Sequence, residues 1–362
     1  MIMWRSLHCL SFLTLLVLAA VSHGYGYFDA LGYGNAVNAI SVRSAALGGI
    51  RIFGAGGPAA LFLNPASLSE VELFQSTLSS SSIAWAEEVV DSTHHTYRSG
   101  SGMGSLTGAA AFRLDDAIVV GGGVTKISNS MYDGIHYLPE DPSQPGIDRV
   151  ETLLAAGGLW EALGGASWEF SDGMHAGISG GLRFGQVQYD YSFDDYSYPG
   201  VDSVASWVWK QSVPCFHAGI TLGDDLMGAG ASFSSGSEHY HSRISFAGRA
   251  RAEHIGNTTM GFEGEVINPF ESNYFIGKLS LETPIRPTID LLAGVGFYEG
   301  ANMSRVGLVF SVGGNFTIDR FRLDCAMFHS ARSRKSTSFP EEYSDHVDDS
   351  WTQFCVGVNY IL

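Results

Sequence analysis

The stretch AALGGIRIFGAGGPAALFLNPASL, residues Ala45 to Leu68, decides how the chain is read. It is small, apolar and dense in glycine, and Arg51 is its one charged residue. Gly48-Gly49 and Gly54-Ala55-Gly56-Gly57 permit tight turns and close backbone contact. Pro58 suits the first turn of a short helix over Ala59 to Leu63, and Pro65 disfavours a helical Asn64, so the helix is expected to stop there. The glycine spacing is wrong for a phosphate-binding loop, and no Lys-Ser/Thr pair follows. A Gly-rich surface loop would fit the composition too. What comes before and after favours a compact plug instead.

Residues 1–24 read as an export signal: Arg5 supplies the positive charge, Leu10 to Val21 the apolar core, and Ser22-His23-Gly24 small residues at a cleavage site. That core is too short to span a bilayer. Tyr25 to Ser44 is a Gly/Asn-rich lead-in, so residues 25–70 form the expected plug, or hatch. From Val71 the pattern changes to period two, and residues 71–362 divide into about fourteen strands. Tight turns at Asp115-Asp116, Ser171-Asp172-Gly173, Gly223-Asp224-Asp225, Pro284 to Pro287 and Asp319-Arg320 alternate with longer polar gaps at 88–103, 129–150, 192–203 and 334–350.

Arg305 to Ile318 shows the alternation most clearly. Leu308, Phe310, Val312 and Phe316 share one face, and Arg305, Ser311 and Asn315 the other. A soluble β-sandwich alternates in the same way. The end of the chain adds weight, because Phe354, Val356, Val358, Tyr360 and Leu362 form one apolar face that runs to the last residue. Mean hydropathy is +0.08 in a chain of net charge −17, and no apolar run reaches the roughly 18 residues of a spanning helix. In lipid only helices and closed barrels satisfy the backbone. The expected fold is therefore all-β: a transmembrane antiparallel barrel of about 14 strands with an N-terminal plug containing a short helix.

The acidic balance offers no basic stripe for nucleic acid. Cys215, Cys325 and Cys355 lack metal or disulfide spacing and are expected to be free thiols. No nucleophile sits in a GxSxG context and no histidine group has a third metal ligand, so neither enzyme activity, cofactor nor metal is expected. On the strand parity, Arg183, Arg243, Arg249, Arg251, Glu263, Glu265, Arg305, Arg322 and Asp324 point into the bore. Opposed charges there should pair with one another or with the plug. Trp85, Trp160, Trp168, Trp207, Trp209 and Trp351 lie near strand ends, as an aromatic girdle would require. The acidic gaps around Glu140-Asp141 and Glu341-Glu342 read as charged loops beside lipopolysaccharide.

Ala46-Leu47-Gly48-Gly49, then Ala59-Ala60-Leu61-Phe62, then Asn64-Pro65-Ala66 before the first strand resemble the N-terminal region of the FadL-like outer-membrane proteins, especially their PorV/PorQ branch. The resemblance implies a bacterial outer-membrane barrel with a hatch, in which Leu47, Gly48, Gly49, Arg51, Phe62, Asn64, Pro65 and Ala66 form the hatch or gate, with Asn64-Pro65-Ala66 either gating or simply ending it. Two functions follow from it. One is passive uptake of small hydrophobic compounds. The other is a non-transporting barrel that docks secreted surface proteins, as the PorV-like members imply. Membrane lipid and lipopolysaccharide are partners in either case.

Overall fold

The computed structural model describes residues 35–36, 40–90, 95–130, 132–138, 149–195, 203–224, 226–237, 240–269, 274–300, 303–335 and 346–362. The expected export signal, Glu140-Asp141 and Glu341-Glu342 lie outside these residues.

Fourteen antiparallel strands close into a barrel. In chain order they are β1 (Phe74–Val90), β2 (His95–Arg113), β3 (Ile118–Asn129), β4 (Arg149–Ser171), β5 (Met174–Asp195), β6 (Ser203–Gly223) and β7 (Met227–Ser234). The second half runs β8 (Arg243–Ala252), β9 (Thr258–Ile267), β10 (Tyr274–Arg286), β11 (Ile289–Gly300), β12 (Met303–Ile318), β13 (Phe321–Lys335) and β14 (His346–Ile361). Each pairs with its chain neighbours, and β14 closes the ring on β1 from Ile361↔Gln75 to His346↔Val90. Several strands run longer than the sequence pattern suggested. Much of the expected loop at 88–103 is ladder, and Tyr132–Leu138 is a short strand paired with Arg149 to Ala155 of β4.

The tight turns are locally encoded. The Asp115 carboxylate accepts the Ala117 and Ile118 amides at 2.8 and 2.7 Å, and Asp224 accepts those of Leu226 and Met227, each at 2.8 Å. Aspartate before a turn bonds its own backbone in this way. The Met227 and Leu226 amides hold the Asp224 carboxyl below its usual pKa.

Strand parity puts large apolar side chains outward: Ile178, Leu182, Phe216, Ile220, Phe246, Phe262, Leu279, Leu308, Phe310 and Phe354 are all exposed. An uninterrupted outward belt of this kind is what a barrel presents to lipid. Cys325 lies on the exposed side, whereas Cys215 and Cys355 are buried; all three thiols are free.

The chain ahead of β1 occupies the bore. It forms a short helix α1 (Val42–Ala46), capped by the Ser41 hydroxyl, and two 3-10 turns, Gly57–Phe62 and Pro65–Glu70. The helix expected at Ala59 to Leu63 is thus a 3-10 turn, and a second one follows Asn64 with Pro65 in its first turn. Neither α1 nor that second turn was visible as periodicity, because each spans barely one turn.

Glycines in the wall make room for this segment. A Cβ at Gly177 would collide with the Pro65–Ala66 peptide, one at Gly219 with the Asn64 side chain, and one at Gly294 with the Leu47–Gly48 peptide. Backbone can approach backbone this closely only where a side chain is absent. Gly177→Leu or Gly294→Leu should push the segment off the wall, at a cost of roughly 1–3 kcal/mol. Limited trypsin digestion checks this, since cleavage after the buried Arg51 should be slow in the parent and fast in either variant.

Candidate functional site

The bore has a polar side and an apolar side, and the plug is fastened to the first. Glu263 projects from β9 and accepts the backbone amides of Arg51 and Ile52 on one carboxylate oxygen, at 2.8 and 3.0 Å. Its other oxygen accepts from Lys278 on β10 at 2.9 Å. The same ammonium group donates to Glu265 at 2.7 Å and to the Gly49 carbonyl at 2.8 Å. Arg243 on β8 completes the group with a 3.0 Å bond to Glu265. These charges are buried, and each oxygen described here has a donor. That arrangement offsets the desolvation that isolated ions would suffer.

Two further charged groups lie elsewhere in the bore, one across β4 to β6 beside the apolar contacts and one on β13 and β14. Arg183 (0% exposed) donates from Nε and Nη2 to one oxygen of Glu161, at 3.0 and 2.6 Å, while His217 lies 3.1 Å from the other. The Arg183 guanidinium also sits 4.3 Å from the Tyr240 ring centre, a cation–π distance. Asp324 accepts from Asn359 at 2.6 Å, with Arg322 at 3.1 Å. On the plug, Arg43 binds the Glu282 carboxylate and the Phe53 carbonyl. Burial opposes its charge, but Glu282 and Glu70 more than offset this and raise its pKa.

The expected inward charges therefore divide. Arg183, Arg243, Glu263, Glu265, Arg322 and Asp324 take part in buried or half-buried groups. Arg249 is only loosely paired, 3.9 Å from Glu70 and stacked over Phe53. Arg251 is exposed at the inner mouth and has no carboxylate within ion-pairing distance among the described residues. The side chain of Arg305 lies outside the described residues. Glu161 belongs to this set although its charge stood out less, because both faces of β4 are apolar around it.

The plug residues are brought together with the wall. Leu47, Arg51, Phe62, Asn64 and Ala66 are buried, and Gly48 and Gly49 take positive φ of 80° and 81°. The Arg51 guanidinium donates to the Phe62 carbonyl at 3.3 Å. Asn64 reaches the Ile52 carbonyl at 3.4 Å and Ser67 at 3.2 Å, and Pro65–Ala66 packs on Gly177.

The other side of the bore is apolar. Leu61, Phe62 and Leu63 of the plug form one cluster with Ile127, Leu159, Leu163 and Cys215. A second cluster higher in the bore contains Ile83, Trp85, Leu153, Val187, Tyr189 and Trp351. Trp209 packs against both, so apolar contact runs unbroken from the outer half of the bore to the plug. This corrects the expected girdle. Trp85, Trp209 and Trp351 point inward, and Trp207 stacks on the buried Tyr189 with ring centres 5.1 Å apart. Odd positions of β6 face the bore, as Cys215 and His217 do, and the two tryptophans share that parity.

The wall is broken beside this apolar side. The β2–β3 ladder runs only from Arg113↔Val119 to Thr107↔Thr125. Beyond it, β2 continues outward with its backbone ladder, among the described residues, running to β1 only. Meanwhile β3 changes character: Thr125 to Ser130 are all buried, on both faces. Its register against β4 slips between Lys126 and Ser128, opposite Trp160 and Leu159, and its end pairs with Asn35–Ala36 of the plug segment. The outer end of β3 has bent into the bore. Among the described residues no backbone ladder bridges the resulting gap, although the Asn129 side chain reaches the Met103 carbonyl at 3.1 Å.

No group of three or more His, Cys, Asp or Glu side chains among the described residues is placed to hold a metal ion. What this site defines is a plugged fourteen-stranded barrel with a side gap. Solved structures of the same shape include a Pseudomonas aeruginosa FadL homologue, with a TM-score of 0.64 and 10% identity over 89% of this chain and 98% of that one. The P. putida toluene transporter TodX aligns at TM-score 0.60 and 12% identity over 91% and 99% of the two chains. The Ralstonia pickettii toluene transporter TbuX gives 0.58 and 12% over 93% and 100%. No protein-family model matches the chain, and no curated protein does either.

Removing one partner of a fully buried pair leaves the other charge stranded, at a cost of ~3–5 kcal/mol. Arg183→Met should therefore lower the unfolding temperature in detergent strongly, and Arg251→Met hardly at all. Heat-modifiability on gels, read across a temperature series, distinguishes the two.

Proposed function

We propose that this protein is an outer-membrane channel for passive uptake of small hydrophobic molecules, with residues Leu47 to Ala66 as its gate. The observation that carries this reading is the side gap between β2 and β3. A hydrophobic solute that crosses a barrel straight down must re-enter water at the inner mouth. A gap that begins at the outer edge of the apolar belt lets it pass sideways into lipid without that cost. The inward aromatic set supports the same reading. Trp85, Trp351, Tyr189 and Trp209 offer apolar surface from the outer half of the bore down to Ile127, where β3 bends. The neighbours named above include toluene transporters, and another is a monoaromatic hydrocarbon channel. Small aromatic hydrocarbons are accordingly the first compounds to test.

The polar side of the bore has a different task in this scheme. It anchors the plug at Gly49, Arg51 and Ile52, so that only the part packed against the apolar side, Leu61 to Ala66, needs to yield. The alternative of a barrel that docks secreted proteins calls for a sealed wall, which the gap argues against. Export by a cleaved signal at residues 1–24 and contact with lipopolysaccharide belong to the same proposal.

Uptake of radiolabelled toluene by cells producing the protein should exceed that of cells carrying an empty vector. A Met103→Cys, Asn129→Cys pair, oxidised to close the gap, should lower uptake toward the background, and reduction should restore it. No excess uptake by the parent would overturn transport. Excess uptake that the oxidised pair leaves unchanged would overturn the sideways route.

A further inference from the structure

The bend in β3 leaves a dent in the wall on the far side from the gap. A cavity of about 820 Å³ lies there across β3 to β6, lined by Lys126, Trp160, Phe184, Gln186, Lys210 and Gln211 among others. Its floor is bare backbone, because Gly157, Gly158 and Gly185 carry no side chains. Lys126 stands opposite Trp160 across the β3–β4 ladder, and its Cε lies where a Cβ on Gly158 would touch it. Only 5% of Lys126 is exposed, and its ammonium bonds just to Asn129 Oδ1, at 3.2 Å. Among the described residues no carboxylate lies within ion-pairing distance of either Lys126 or Lys210. Burying a cation without a counter-charge is costly.

The depth of the cavity identifies what could meet that demand. Outward positions on β5 are apolar from Met174 through Ile178 and Leu182 to Phe184 and turn polar at Gln186. That stretch covers roughly 25 Å of barrel height at ~3.3 Å per residue and about 40° of tilt, the full height of a lipid-facing band. Lys210 pairs with Gln186 across β5 and β6. Both therefore lie where the apolar belt ends on the outer side, at the level of lipid headgroups. Trp160 and Phe184 stand below them as apolar walls.

The geometry points to a binding site for one phosphate-bearing membrane lipid. Its headgroup phosphate takes Lys126 and Lys210, and its first acyl carbons lie against Trp160 and Phe184. The inference rests on the barrel lying in a membrane, not on what crosses it.

Native mass spectrometry of the full-length protein in detergent, titrated with bis-phosphorylated lipid A, tests it. One lipid should be retained per barrel, and Lys210→Gln and Lys126→Gln should each weaken retention about fivefold, the effect of roughly 1 kcal/mol per lysine at an anionic surface. Fully dephosphorylated lipid A should bind weakly and alike to all three proteins. Lys210 is exposed, so its variant keeps the test valid should Lys126→Gln fail to fold. Equal lipid A retention by the parent and Lys210→Gln would overturn the site. Competition by inorganic phosphate at concentrations matching the lipid would assign the lysines to a soluble anion and overturn the lipid reading. Toluene uptake by the Lys210→Gln variant, measured alongside, separates this result from the transport proposal.

Discussion

One carboxylate holds the inside of this protein to its wall. Glu263 takes two plug amides on one oxygen and the Lys278 ammonium on the other, and an acceptor shared in this way can be buried only because every participant is satisfied at once. The bond to the Arg51 and Ile52 amides fixes the plug at its middle. Lys278 then fixes it again at Gly49, and Arg243 neutralises the second carboxylate that Lys278 needs. Remove any member and a charge is left in a cavity where water has little room. The bore thus gains rigidity on one side.

That rigidity makes sense of the opposite side. There most of the plug's contacts are apolar, with a buried bond from the Ser179 hydroxyl to the Leu61 carbonyl at 2.7 Å, and there the β2–β3 ladder stops short among the described residues. The two sets of side chains divide by strand: β8 to β10 carry the charges that hold the plug at Gly49 to Ile52, while β2 to β6 carry most of the apolar contacts of Leu61 to Leu63.

The barrel was legible because its rule is short-range. Period-two alternation, aspartates that fold their own turns, and an apolar last strand need no knowledge of distant contacts, and strands such as β12 and β14 follow them. The glycine-rich stretch was legible as something packed closely, and Gly177, Gly219 and Gly294 show the matching spaces in the wall. What stayed hidden depends on tertiary geometry. The bend in β3 has no sequence signature of its own beyond the Gly157-Gly158 pair on the facing strand, and the region after it read as loop. Glu161 sits between Leu159 and Leu163, with Trp160 and Ala162 on the other face, so neither face looked polar. Trp209 could have been placed inward from the parity that placed His217; position near a strand end misled where parity would not have.

The glycine contacts also bear on how such a molecule can be made. The plug is the first part of the described chain, yet it touches β5 at Gly177, β11 at Gly294 and β14 at Gly357, strands that emerge much later. Those contacts can form only after β11 and β14 have followed, so the leading segment reaches its final packing late, as the last strands take their places in the wall.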